Sequence, residues 1–237
     1  MIKSVFLASS EFSMFSVTHG IVFVICLLSL YAFYKVVPYI KKIPYEIEIR
    51  YSIATVMLVN EISNLFIKYN NGLPWYEFFP DATCGLAIYL GALMLFTKNR
   101  KLFSVIFFWG FGAILTFTFP DVTDGPTTFR FYEFFISHFL IFISGFYMIW
   151  VLDFKLTYKD LKTSWLYTGI MVVLITIPNY IVNDPHVINY FYTLAPPTGG
   201  TPLDIIYKLG AFIYIPGWIS LSMLFMYLYG LPFYQKK

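Results

Sequence analysis

Charged residues are scarce in this chain: they make up 12% of its 237 residues, whereas hydrophobic residues make up 59%. A soluble globular domain carries about 25% charged residues. So few charged residues cannot cover a water-facing surface for a chain of this size. We therefore expect lipid to surround most of the fold. The length fits one membrane domain, residues 1–237, and leaves no room for a soluble domain.

Cysteine is also rare, because Cys26 and Cys84 are the only two in the sequence. Two cysteines are too few for a disulfide framework. Residues 1–14 hold only a short apolar run at 5–8, which does not predict a secretory signal. The sequence also lacks a basic nucleic-acid patch, a phosphate-binding loop and a dinucleotide fingerprint. We therefore expect no cofactor and no nucleic-acid partner.

Long apolar runs are what the sequence has in abundance. A membrane-spanning helix needs about 20 such residues, and continuous runs exclude the alternating pattern of a barrel strand. The sequence thus predicts an all-α membrane protein with seven transmembrane helices. The predicted segments are 12–34, 51–67, 79–97, 102–119, 131–152, 163–182 and 209–234.

The basic residues are distributed unequally between the two sets of loops. Of the 16 Lys and Arg residues, 12 fall in the first, third and fifth loops or in the C-terminal tail. Positive charge marks the cytoplasmic side, which predicts an outside N-terminus and a cytoplasmic C-terminus. The longest outer loop, 183–208, is rich in Asn, Pro, Gly and Thr, and could be either a functional lid or a plain connector.

Four reactive or ionisable residues fall inside these segments: His19, Glu61, Cys84 and His138. Such residues are costly in a bilayer and are functional candidates by default. At about 5.4 Å per turn, all four lie in the outer third of the membrane, although they come from four different helices. The sequence therefore predicts one polar site near the outer face.

The residue types at this site suit acyl transfer through a cysteine. A thiol becomes a nucleophile when a neighbouring base removes its proton, and His138 could do this for Cys84. Glu61 could orient an imidazole, and His19 or a backbone N–H of the third helix could support the oxyanion.

Other interpretations of the same residues stay open. The cysteines could be apolar filler, the histidines could only tie helices together, and Glu61 could pair with Arg130 or Lys68. The four residues could also hold zinc, although no paired metal-binding motif occurs, so we expect no metal. The chain could further be a transporter or a binder of lipids or small molecules with a polar pocket. As a purely structural partner of another protein, it would form a fully packed bundle.

Short motifs across most of the chain carry a resemblance to a known family. They are Phe15-Ser16 with His19, Pro80 with Cys84, Leu93-Met94 to Thr97-Lys98-Asn99-Arg100, Phe108-Trp109-Gly110, Pro120-Asp121, Phe129-Arg130-Phe131 to Phe134-Phe135 and His138, Asn179, Asn189-Tyr190, and Pro202 with Asp204. In these motifs the chain resembles the YwaF-like bacterial membrane proteins. That family is related to transmembrane protein 164, an acyltransferase that remodels ether phospholipids.

The resemblance implies acyl movement between lipids in a bacterial cytoplasmic membrane, with Cys84 and His138 as catalytic residues. Phospholipids or lysolipids would be the partners, and no soluble cofactor would be needed. The supporting residues would be His19, Glu61, Arg130, Asn179, Asn189 and Tyr190. One position departs from the family, because Ala82 stands where His or an acid often precedes the cysteine. The sequence leaves the oligomeric state open.

Overall fold

The protein is all-helical over the residues that the structure describes, which confirms the predicted fold class. A computed structural model describes residues 11–80, 83–184, 188–196 and 202–234, and no strand forms within them. Its α-helices are α1 (Val17–Ile40), α2 (Glu46–Asn70), α3 (Thr83–Thr97), α4 (Arg100–Leu115), α5 (Phe129–Trp150), α6 (Tyr158–Val182), α7 (Pro202–Tyr207) and α8 (Ala211–Gly230). Short 3-10 helices occur at Trp75–Phe78, Tyr190–Tyr192 and Leu231–Phe233.

Four helical segments are long and apolar enough to cross a membrane by length and composition. They are α1, α5, α6 and the stretch Phe212–Phe233, which includes most of α8. The helices α2, α3 and α4 overlap the other three predicted segments, but α3 and α4 have only 15 and 16 residues. That these three also span the membrane stays a prediction.

The helix α5 lies at the centre of the bundle, and α1, α6 and α8 lie at its periphery. In the most apolar stretch of α5, 72% of the residues are buried, against 11% in each of the three peripheral helices. The outward side chains of those helices are nevertheless apolar, as Val173 and Ile181 are on α6. Exposed apolar side chains on three sides are what a lipid environment requires.

A glycine lets the two most buried helices approach each other closely. A Cβ added at Gly145 of α5 would lie 3.1 Å from the Cα of Phe107 in α4. Small residues at such crossings let helix backbones pack tightly inside membranes. The helices α4 and α5 therefore pack closely together, and the other helices pack around this pair.

Several helices begin or end away from the limits of the apolar runs, since polar groups take part in their ends. The helix α2 begins at Glu46, where an i,i+4 ion pair joins Glu46 to the buried Arg50. The helix α6 begins at Tyr158, because Thr157 and Asp160 form a reciprocal capping box before its apolar run. Hydrophobicity does not mark these first turns.

The loops after α1, α3 and α5 lie together at one end of the bundle, which we call the basic end. The ammonium group of Lys41 is 2.6 Å from Asp153, and Arg100 donates to the carbonyl of Lys155 at 2.5 Å. The opposite end, where α2 ends and α3 and α5 begin, is called the cavity end. That the basic end faces the cytoplasm stays a prediction.

Candidate functional site

A cavity of about 390 Å³ opens at the cavity end between α2, α3, α4, α5 and α8. Four of the residues predicted from sequence line it: Glu61, Cys84, Arg130 and His138. The structure thus brings together side chains from three helices that are far apart in sequence. A bundle packed without space at this end, as expected for a purely structural partner, is contradicted by the cavity.

Cys84 lies in the first turn of α3, because Pro80 before it is not helical. The predicted segment began at position 79 and would have placed the thiol about one turn deeper. The side chain is half-buried and lines the cavity together with Pro80 and Gly85. Backbone N–H groups in the first turn of a helix have no intrahelical acceptor and can bind an anion. An oxyanion formed beside Cys84 would therefore be close to suitable donors.

His138 is a buried residue of α5 whose ring is held in one orientation. Its Nδ1 lies 2.6 Å from the carbonyl oxygen of Phe134, and the two rings are 4.3 Å apart between centroids. A carbonyl can only accept a hydrogen bond, so Nδ1 must carry the proton. The neutral ring then has its lone pair on Nε2, which is the form that can act as a base.

A polar network that sequence reasoning missed joins α2 to α5 beside His138. The amide of Asn60 donates to Ser137 Oγ at 2.6 Å and to the carbonyl of Glu133 at 3.1 Å. Ser137 Oγ in turn donates to the Glu133 carboxylate at 3.0 Å, and Glu133 is ion-paired with Arg130. The network fixes the face of α5 that carries His138.

One signal in the sequence could have found this network. Arg130, Glu133 and Ser137 have the spacing i, i+3 and i+7, which places them on one helix face. Glu61, Asn64 and Lys68 repeat the same spacing on α2, and all six residues line the cavity. Two matching polar stripes on apolar helices predict that the helices face each other.

Glu61 does not form either of the ion pairs that the sequence left open. The hydroxyl of Tyr89 donates to its carboxylate at 3.3 Å. Arg130 pairs instead with Glu133, and Lys68 donates to the carbonyl of Glu77 at 2.6 Å. The carboxylate of Glu61 is buried and lines the cavity without an ion pair among the described residues.

His19 lies apart from the residues that line the cavity and binds backbone groups through both of its nitrogens. Its Nδ1 accepts from the N–H of Phe15 at 2.9 Å, and its Nε2 lies 2.7 Å from the carbonyl oxygen of Phe117. Nε2 must donate in that contact, so this ring is the opposite tautomer to His138. His19 therefore joins the start of α1 to the segment after α4, and it is not among the residues that line the cavity.

Asn179, Asn189 and Tyr190 shape the segment 188–196, which we call the lid loop. Asn179 is fully buried. Its amide donates to the carbonyl of Tyr190 at 2.7 Å and to Thr193 Oγ1 at 2.6 Å. Its side-chain oxygen accepts from the N–H of Tyr190 at 3.0 Å. Asn189 accepts at 3.1 Å from the N–H of Leu194 and donates at 2.8 Å to the carbonyl of Ala195. The two side-chain amides therefore stabilise the conformation of the loop by hydrogen bonds to its backbone and to Thr193.

The lid loop contributes directly to the cavity through Tyr192. This side chain lines the cavity, and its hydroxyl donates to Asp121 at 2.9 Å. Tyr190 donates to the carbonyl of Tyr76 at 2.8 Å and so joins the loop to the segment before α3. The described part of the long loop therefore contacts the cavity, and whether the loop acts as a lid or a plain connector stays a prediction.

One sequence observation concerns a residue outside the described ranges, whereas the four residues of the zinc alternative lie within them. Ala82, the position at which the chain departs from the family pattern, lies between residues 80 and 83 and is not described. Within the described ranges, no group of three or more His, Cys, Asp or Glu side chains is arranged to hold a metal ion. His186 lies outside them. The zinc set suggested by residue types alone is thus not assembled by the described side chains.

Comparison with known proteins places the chain in a family. A family model described as the TMEM164 family matches residues 7–230. The chain belongs to the TMEM164 family. This confirms the relation to transmembrane protein 164 that the motifs indicated, and with the long apolar helices it identifies a membrane protein. The grouping with YwaF-like bacterial proteins stays a prediction.

A shorter similarity links the chain to one curated relative. An uncharacterized protein of Treponema pallidum (strain Nichols) is 30% identical over 68 residues, and the match covers 29% of each protein. The chain therefore matches less than a third of the length of that relative. No solved structure matches the chain.

Proposed function

We propose that this protein transfers acyl groups between membrane phospholipids and lysolipids, with Cys84 as nucleophile and His138 as base. One observation carries the proposal: a single cavity is lined by both Cys84 and His138, and the Nδ1 proton of that histidine is already committed to Phe134. Membership in a family linked to acyltransferase activity supports the reaction class.

The first half of the reaction would form an acyl-cysteine. His138 Nε2 takes the proton from the Cys84 thiol, and the sulfur attacks the carbonyl carbon of a lipid ester. The N–H groups of the first turn of α3 stabilise the oxyanion. The ester C–O bond breaks, and the leaving lysolipid oxygen receives the proton from His138.

The second half would reverse these steps with a new acceptor. A lysolipid hydroxyl gives its proton to His138 Nε2, and its oxygen attacks the thioester. The carbon–sulfur bond then breaks, and the proton returns to the sulfur. No oxidant, reductant or soluble cofactor is required, because every bond that breaks is replaced by an equivalent one.

The charges around the cavity suit the headgroup of such a lipid. Lys68, Asp121 and Arg130 all line it, so both signs of charge are available to a phosphate and an amine. The positive-inside prediction further supports our inference that the reaction takes place at the outer leaflet of a bacterial cytoplasmic membrane.

The test compares purified wild-type protein with Cys84→Ser and Cys84→Ala in lipid vesicles. Acyl transfer from a phospholipid to a labelled lysolipid should fall by at least about 10³-fold in both variants, as it does when a covalent nucleophile is lost. Cys26→Ala is the matched control, because Cys26 is buried in α1 and does not line the cavity. Unchanged transfer in both Cys84 variants would refute the proposal.

A second candidate function is a transporter, or a binder of lipids or small molecules, that uses the polar cavity. The buried carboxylates of Glu61 and Glu133 beside one cavity favour it. In that case, uptake or binding would depend on Glu61 and tolerate Cys84→Ser. Loss of transfer in Cys84→Ser with Glu61→Gln still active would favour the enzyme.

A further inference from the structure

A second, smaller cavity of about 210 Å³ lies between α6 and α8, and we call it the side chamber. Trp165, Gly169 and Val172 of α6 line it, as do Ile219 and Met223 of α8. Nearly all the atoms that these residues present to it are apolar. An apolar cavity of about 150 Å³ is already large enough to stay dry and bind a benzene-sized ligand.

The side chamber adjoins the cavity that contains Cys84 and His138. Thr168, Trp218, Ser222 and Met226 line both spaces, so the two lie side by side with these residues at their boundary. The hydroxyl of Thr168 accepts a hydrogen bond from Trp109 Nε1 at 2.8 Å. Because this hydroxyl is already bonded at the boundary, it does not require a polar ligand there.

All the residues that line the side chamber belong to α6 and α8, two peripheral helices of the bundle. The outer faces of both helices are apolar and exposed, as Val173 on α6 and Leu224 on α8 illustrate. An apolar ligand in the chamber would thus be next to the apolar outer faces of α6 and α8 on one side and next to the cavity that Cys84 and His138 line on the other. A long hydrocarbon chain attached to a polar ester fits this sequence of environments.

We propose that the side chamber holds the acyl chain of the lipid whose ester reacts at Cys84. This inference rests on the proposed function, which it deepens by naming where the substrate chain lies. The ester occupies the polar cavity, while the hydrocarbon passes the shared boundary into the chamber. The side chains that line the chamber therefore select the length of the chain.

Gly169 provides a way to fill the chamber without disturbing its walls. A Cβ added there would meet no heavy atom within 4 Å, and the same is true at Gly20 on the exposed face of α1. Gly169→Leu therefore fills the chamber, whereas Gly20→Leu is a matched control that adds the same side chain far from it. Met223→Ala is the opposite change, because it enlarges the chamber.

The first measurement is a competition between donor lipids that carry octanoyl or oleoyl chains. Gly169→Leu should lower the ratio of oleoyl to octanoyl transfer by roughly tenfold, the scale on which a hydrophobic pocket discriminates ligand size. Gly20→Leu should leave the ratio unchanged, and Met223→Ala should raise it. A ratio that stays the same in Gly169→Leu, with the variant monodisperse on size exclusion, would overturn the inference.

The second measurement does not depend on turnover. A phospholipid with a diazirine near the end of its oleoyl chain is photocrosslinked to the wild type, and the labelled residues are mapped. Label at Val172 and Ile219 that disappears in Gly169→Leu supports the chamber even if no acyl transfer occurs, in which case only the proposed function fails. Active protein labelled solely on outward residues such as Val173 would refute the chamber alone.

Discussion

Polar side chains have different surroundings at the two ends of this bundle. At the basic end, charged side chains are packed against several partners each. Arg50, for example, is bonded to Glu46 and to the backbone carbonyls of Leu95 and Phe96. At the cavity end, Glu61, Cys84 and His138 surround an open space. The comparison indicates that polar groups of the basic end mainly hold the fold together, whereas the cavity end combines such ties with polar groups that line an open space.

The same contrast separates two histidines near the cavity end. Both nitrogens of His19 are bonded to backbone groups, whereas His138 has one known bond, from Nδ1 to Phe134. The first ring is occupied in joining two segments. The second ring is oriented by one bond, and its other nitrogen is the base in the proposed reaction.

The largest expected effect on stability comes from breaking the charge network at the basic end. Arg50 is only 2% exposed, and Arg50→Met leaves the Glu46 carboxylate without its ion partner. We expect a loss of about 3 kcal/mol, because Glu46 (21% exposed) loses its ion partner and the carbonyls of Leu95 and Phe96 lose their donor. Thermal unfolding in detergent measures it.

The matched control is the double variant Arg50→Met with Glu46→Leu. Because both charges are then absent, it should recover a large part of the lost stability. A double variant as unstable as the single one would show that the loss comes from packing rather than from the unpaired charge.

Next in size is the effect of removing the proposed base. His138→Gln should lower acyl transfer by about 10²–10⁴-fold, the usual contribution of a positioned base, with little change in unfolding temperature. His19→Gln should instead lower stability by about 1–2 kcal/mol, as expected for lost hydrogen bonds, and leave transfer per folded molecule unchanged. Transfer rates and thermal unfolding are measured for both variants. Lost transfer in His19→Gln together with lost stability alone in His138→Gln would contradict the prediction.

A smaller effect is expected at the lid loop. Asn179→Ala removes three hydrogen bonds and leaves the buried N–H of Tyr190 without its acceptor, which costs about 1–3 kcal/mol. Proteolysis within 188–196 should therefore become faster. Asn189→Ala is the comparison, since Asn189 is only half-buried; equal proteolysis in the two variants would argue against Asn179 as the main anchor.

The smallest effect is expected from an exposed ion pair at the basic end. The side chains of Lys41 and Asp153 are 34% and 68% exposed, so Lys41→Ala should change stability by no more than about 1 kcal/mol. The thermal unfolding curve should nearly superimpose on that of the wild type. If Lys41→Ala lost as much stability as Arg50→Met, the exposure of a charged side chain would not predict its contribution to the stability of this protein.

Much of the architecture could be predicted from the sequence because apolar runs directly report burial in lipid. Each of the seven predicted segments overlaps an α-helix among the described residues, although α3 and α4 have only 15 and 16 residues. The ends were less predictable, since Glu46 and Thr157 stabilise first turns through polar contacts that hydropathy does not register. Pro80 could have shown that Cys84 lies in a first turn, because proline commonly precedes or opens a helix.

The sequence could predict at which level along the helices the candidate site lies, but not which side chains line it. Distance along a helix fixes the level of a residue in the bilayer, so Glu61, Cys84 and His138 could be assigned a common level. Which residues face the same space depends on how the helices are rotated and packed, and this put Glu133 beside the cavity and His19 away from it.

The sequence by itself thus determined that the fold is helical and exposes much apolar surface, and it predicted a common level for the polar residues, because composition and helical rise are local properties of the chain. Only the tertiary structure decided that Nδ1 of His138 is bonded to the Phe134 carbonyl, whereas both ring nitrogens of His19 are bonded to backbone groups. It also placed an apolar chamber next to the cavity through residues of α6 and α8. Such relations arise from contacts between distant segments, which no local pattern in the chain encodes.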